Sequence, residues 1–86
     1  MAWAIEYTPK AVKALSKLDK TSAARIVAFM QERTTEDPRN AGKALSGPLG
    51  EFWRYRVGDY RILTKIEDSR LVVLVVQVSH RSAAYR

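Results

Sequence analysis

The sequence predicts an α+β fold in the order β-α-α-β-β-β, a helical hairpin packed on an antiparallel sheet. Two patterns carry the prediction. Apolar residues recur at helical spacing between Thr8 and Pro38, and from Phe52 onward they alternate or run together as they do in strands. The length of 86 residues adds a bound, because it leaves room for one core and therefore one domain, residues 1–86.

Trp3, Ile5 and Tyr7 alternate with Ala4 and Glu6, a short strand. Thr8-Pro9 reads as an N-cap followed by proline in the first helical position. Ala11, Val12, Leu15 and Leu18 then follow at helical spacing. Asp19 to Ser22 bends the chain and starts a second helix, in which Ala23, Ile26, Val27 and Met30 share a face. Glu36-Asp37-Pro38 ends it. Gly42, Gly47, Pro48 and Gly50 punctuate a loop over residues 39–50.

Three strands complete the chain: Phe52 to Val57, Tyr60 to Ile66, and Leu71 to Val78. The last is a continuous apolar run, which suits an inner strand covered on both faces. Glu67-Asp68-Ser69-Arg70 supplies the polar turn before it.

The hydrophobic fraction of 47% and charged fraction of 28% are those of an ordinary globular chain. No cysteine is present, which excludes disulfides and thiolate metal sites. The single His80 leaves a zinc site without a partner imidazole. Fifteen Lys+Arg against nine Asp+Glu give a net charge of +6, which points to an anionic partner. A solvated basic surface would give the same balance. MAWAIEYTPK has no cationic segment followed by an apolar run, so no secretory leader is expected. Leu71 to Val76 is too short to span a bilayer, and a cytoplasmic protein without a membrane partner is expected.

The stretch EFWRYRVGDYR, Glu51 to Arg61, concentrates the charge. Gly58-Asp59 fits a two-residue hairpin turn, which pairs Val57 with Tyr60 and sets Arg56 opposite Arg61. Alternation puts Arg54 and Arg56 on one face, where Arg61 joins them. Trp53, Tyr55, Val57, Tyr60 and Ile62 take the other face, under the helices. Opposed like charges repel, and a phosphate between them reverses the sign, since guanidinium forks match phosphate oxygens. The alternative is a hydrated basic edge that discourages strand-to-strand aggregation.

The ending VSHRSAAYR adds His80, Arg81, Tyr85 and Arg86 beyond the last strand. His80 titrates near neutrality and so suits proton transfer, or else a hydrogen-bonded structural role. Tyr85 suits stacking on a base, work on a hydroxyl, or plugging the end of the core. No phosphate-binding glycine loop, serine triad or acidic metal cluster occurs, so any chemistry is expected to run without metal or cofactor on cations, a phenol or an imidazole.

LGEFWRYRVGDYRI, the apolar strand, the ending SHRSAAYR, and the upstream TPKAVKALSKL and DPRNAGKALSG together resemble the RelE-like toxins of bacterial toxin–antitoxin pairs, within the RelE/ParE superfamily. The resemblance covers nearly the whole chain. It implies a metal-independent endoribonuclease that enters the ribosomal A site, cuts mRNA there and so inhibits translation. In such enzymes the ribose 2′-hydroxyl attacks the adjacent phosphate, leaving a 2′,3′-cyclic phosphate and a 5′-hydroxyl.

The same resemblance puts Arg61 and Arg81 where the family carries phosphate-contacting and acid-assisting arginines. Tyr85 matches its C-terminal tyrosine, and Arg54 and Arg56 stand where the best-known members carry lysines. Arginine is not deprotonated in proteins, so Arg54 and Arg56 can bind phosphate but cannot act as a base. The base is left to Tyr85, His80 or an activated water. A RelB-like antitoxin is the implied partner, beside the ribosome and mRNA, with DNA reached only through an antitoxin complex. The other branch of the superfamily implies a different activity, inhibition of DNA gyrase by binding without nuclease chemistry.

Overall fold

The computed structural model describes residues 3–45, 47 and 50–82. Five strands and two helices follow in order: β1 (Ala4–Tyr7), α1 (Pro9–Ser16), α2 (Lys20–Arg33), β2 (Lys43–Ala44), β3 (Trp53–Val57), β4 (Tyr60–Glu67) and β5 (Val72–His80). A single 3-10 turn, Pro38–Asn40, lies between α2 and β2. The expected order therefore holds, with one two-residue strand added inside the stretch expected to be loop.

The strands form one sheet in the order β1-β5-β4-β3-β2. β2 through β5 pair antiparallel, but β1 lies parallel to β5, so the sheet is mixed rather than antiparallel. Short turns fix the alternating sense of β3, β4 and β5. β1 reaches β5 only through both helices, and no turn dictates its direction.

Each helix starts where a side chain caps it. Thr8 Oγ1 accepts from the Ala11 N–H at 3.1 Å, with Pro9 in the first turn of α1. The Asp19 carboxylate accepts from the Ser22 N–H at 3.0 Å, and hydrogen bonding from the side chain and backbone of Ser22 holds its pKa below the usual carboxylate range. Leu18 falls outside α1, which ends at Ser16, yet it still packs against the core.

The core joins Ala11 of α1 and Ile26 and Met30 of α2 to Tyr55, Val57, Ile62, Val73, Val75 and Val78 of the sheet. Trp53 and Tyr60 pack on its margin, so the five residues assigned to the helix side of the hairpin all lie there. Val12 and Val27 differ from expectation. They are 53% and 45% exposed, because the inward stripe of each helix is narrower than the apolar pattern that suggested it. Leu71 belongs to the turn before β5, with a left-handed φ of 55°.

β5 carries one extra residue. Leu63 pairs with Gln77 and Thr64 with Val75, leaving Val76 as a bulge. The bulge lets Val73 and Val75, then Val78, all face the helices although their numbers differ in parity. Its carbonyl accepts the Thr8 hydroxyl at 3.2 Å, while the Thr8 N–H donates to the Val75 carbonyl at 3.0 Å. The cap of α1 is thus also the clasp on the bulge.

Gly42 turns the chain into β2 with φ of 77°. A Cβ there would fall 2.4 Å from the Arg54 carbonyl oxygen and 2.8 Å from Tyr55 Cδ1, so only glycine fits. Trp53 Nε1 donates to the Ala41 carbonyl at 2.7 Å, and the Tyr55 hydroxyl donates to that of Pro38. Burial pushes the Tyr55 phenol well above its ordinary titration range. Arg39 and Asp68 form a two-armed ion pair, both bonds 2.8 Å, that ties the 3-10 turn to the β4–β5 turn.

Candidate nucleic-acid interface

β3 and β4 are joined at Gly58-Asp59, where Gly58 supplies a φ of 59°. Glycine first and an ordinary residue second is the pattern of a type II′ turn, whose twist matches the strands it joins. That turn fixes the register. Val57 pairs with Tyr60, Arg56 with Arg61, and Arg54 with Leu63.

Paired residues share a face, so two rows run across the side of the sheet away from the helices. One reads Lys43, Arg54, Leu63, Gln77 and the other Arg56, Arg61, Ser79. Arg54, Arg56 and Arg61 therefore occupy one face, and Arg56 meets Arg61 directly. Neither Arg54 nor Arg56 forms a salt bridge among the described residues. Arg54 also keeps a buried Nε–H without an acceptor, an arrangement that costs about 1–3 kcal/mol unless a ligand or water supplies one.

Arg54 and Arg56 also line a cleft of about 430 Å³ at the outer edge of β3. Its other walls are Phe29 and Arg33 of α2 and the segment Asn40 to Lys43. Arg33 and Lys43 thus bring two cations that the sequence reading did not single out. Arg33 is simply the last residue of a helix pattern. Lys43 acquires its place from a two-residue strand too short to read, although its register with Arg54 is unambiguous once formed.

His80 stands elsewhere. It pairs with Tyr60, on the side of the sheet that carries the helices, and its ring meets the Tyr60 ring edge-on at 5.5 Å. The Ser82 N–H donates to His80 Nδ1 at 3.2 Å, which leaves the proton of the neutral ring on Nε2. A smaller cavity of about 240 Å³ adjoins it, walled by Ser22, Arg25 and residues 57–60.

Arg81 follows in the turn after β5. Its N–H donates to the Asp59 carbonyl at 2.7 Å, and its Nε lies 3.8 Å from the Asp59 carboxylate, a loose and exposed pair. The structure therefore groups Arg54, Arg56 and Arg61, leaves Arg81 at the hairpin end, and separates His80 from the guanidinium rows. Tyr85 and Arg86 lie outside the described residues.

A mixed five-stranded sheet backed by two helices, with a basic face opposite them, is the build of a small toxin of the type II toxin–antitoxin class. The family of ParE toxins of type II toxin–antitoxin systems matches residues 5–85. Toxin RelG of Mycobacterium tuberculosis is 31% identical over 86 residues, covering 100% of this chain and 99% of that one. Toxin RelE of the same organism is 32% identical over 82 residues, covering 95% and 84%. The toxin–antitoxin complex RelBE2 from M. tuberculosis contains a chain that superposes with a TM-score of 0.87 at 29% identity, covering 95% of this chain and 94% of that one. The chain belongs to the RelE/ParE superfamily of toxins, the family its sequence resembles.

Proposed function

We propose that this protein is a ribosome-dependent endoribonuclease that cuts mRNA in the A site and is held in check by a cognate antitoxin. The observation that carries the reading is the placement of Arg54, Arg56 and Arg61 on one face, with Arg56 directly opposite Arg61. Full-length similarity to toxins named RelG and RelE supports it, and the relative crystallised as a toxin–antitoxin complex supports the antitoxin partner.

In this mechanism the 2′-hydroxyl attacks the neighbouring phosphate and the bond to the 5′-oxygen breaks, giving a 2′,3′-cyclic phosphate and a 5′-hydroxyl. Charge builds on the phosphoryl oxygens as the pentacovalent state forms. Arg61, flanked by Arg56 and Arg54, stabilises that charge in place, the largest single contribution such a site can make. Arg81 assists departure of the 5′-oxygen by stabilising the charge that develops there. Tyr85 stacks on a base or activates the hydroxyl. The orientation of His80 toward the helices favours Tyr85 or a bound water as the base.

Toeprinting on programmed ribosomes tests the reading. The expected result is A-site cleavage by the parent protein and loss of it in Arg61→Ala, Arg81→Ala and Tyr85→Ala; unchanged cleavage in all three sinks the assignment. The match to the ParE toxin family favours a second reading, inhibition of DNA gyrase by binding. A supercoiling assay separates them, since gyrase inhibition with intact mRNA selects the second.

A further inference from the structure

We propose that the cleft at the outer edge of β3 is a nucleotide subsite for single-stranded RNA, set apart from the phosphate held at Arg61. Arg33 offers its guanidinium plane to a base there and Lys43 holds an adjoining phosphate, while Arg54 and Arg56 line both this cleft and the Arg61 face. The inference rests on the reading of the arginine face as an RNA surface and extends it past the sheet edge.

Three observations converge on it. β2 pairs only with Trp53 and Arg54, so among the described residues no strand lies beside the outer edge of β3 beyond Arg54. Gly42 turns the chain away at that point, which opens the cleft. At about 430 Å³ it falls within the range of small-ligand sites. No carboxylate lines it among the described residues, while Arg33, Lys43, Arg54 and Arg56 all do.

The cations are also prepared differently. The Arg33 guanidinium carbon lies 5.4 Å from the centre of the Phe29 ring and over its face, and Phe29 is braced edge-on by Tyr55 at 5.8 Å. The ring thereby holds the guanidinium by cation–π attraction, and a guanidinium is the kind of plane on which RNA bases stack. The Arg54 Nε–H supplies a buried donor without an acceptor. An acidic peptide would satisfy the charges but would make no use of a planar platform, which every nucleobase matches.

The test is binding of a fluorescein-labelled hexaribonucleotide with 2′-O-methyl groups, read by anisotropy over a salt series. Lacking the attacking hydroxyl, this probe reports binding whether or not the protein cuts mRNA on ribosomes. Arg33→Ala should weaken binding about tenfold or more. Arg33→Lys, which keeps charge and loses the plane, should weaken it with the salt slope unchanged. Lys43→Ala should lower the slope of log affinity against log salt by roughly 0.7. Lys10→Ala on α1 removes the same charge elsewhere and should leave both readings as in the parent, with circular dichroism confirming the fold of each variant. The proposal is overturned by parent-like binding in Arg33→Ala and Lys43→Ala, or by an equal loss in Lys10→Ala. It is equally overturned if the parent fails to bind the hexamer, including the case where it binds a glutamate-rich peptide instead.

Discussion

Arg56 and Arg61 stand directly opposite one another across the β3–β4 ladder, two cations at a position where opposite charges or apolar pairs would stabilise the sheet. A folded protein at rest gains nothing from that pairing. Arg56→Ala should therefore raise stability slightly, by a few tenths to about 1 kcal/mol, while weakening RNA binding and cleavage. Urea titration beside a toeprinting assay checks both signs at once; a loss of stability would mean that Arg56 serves the fold instead.

Cleavage should discriminate between Arg61 and His80. Arg61→Ala is expected to lower the cleavage rate about 10²–10³-fold, the usual cost of removing a preorganised charge-stabilising group. His80→Ala should cost less than about tenfold, against the roughly 10²–10⁴-fold expected for a general base, because His80 faces the helices beside Tyr60. Single-turnover rates on programmed ribosomes measure the difference.

Tyr55 links stability to alkaline pH. Burial raises its titration above the ordinary value of about 10, so the unfolded chain releases that proton at a lower pH than the native one does. Its contribution is complete below about pH 10 and declines as pH rises beyond it, by up to about 1.4 kcal/mol per pH unit. Tyr55→Phe should flatten that decline. At neutral pH the same variant should be less stable by about 1–3 kcal/mol, having left the Pro38 carbonyl without its donor. Denaturation at pH 7 and between pH 9 and 11 covers both.

Gly42→Ala should cost at least about 2 kcal/mol, since it combines a left-handed backbone with a Cβ driven into the Arg54 carbonyl. A thermal melt close to that of the parent would show that the β2 turn relaxes freely.

Thr8→Val removes both the α1 cap and the clasp on Val76. About 1–2 kcal/mol should be lost, measurable by urea denaturation. Thr8→Ser keeps the hydroxyl and should recover most of it.

The hairpin was legible in the sequence because its determinants are local. Gly58 dictates the turn, the turn dictates the register, and strand alternation then places Arg54, Arg56 and Arg61 together. The helix starts were equally plain from Thr8-Pro9 and Asp19. What escaped reading depends on distant partners. The direction of β1 is set by packing across the sheet, and Lys43 joins the site through a strand of two residues. The side occupied by His80 was hidden for another reason: six apolar residues in a row, Leu71 to Val76, carry no alternation from which a bulge could be noticed. Val12 and Val27 lie at the borders of helical stripes, where spacing alone does not separate inside from outside.

That bulge divides β5 into two lengths that keep separate time. The stretch before Val76 answers to β1 and the helices through Val73 and Val75, and the stretch after it delivers Ser79 beside Arg61. Substitutions that retune the business end of the strand need not honour the parity enforced at its root. Hydrophobic scaffold and reactive terminus can thus drift independently, even though a single strand carries both.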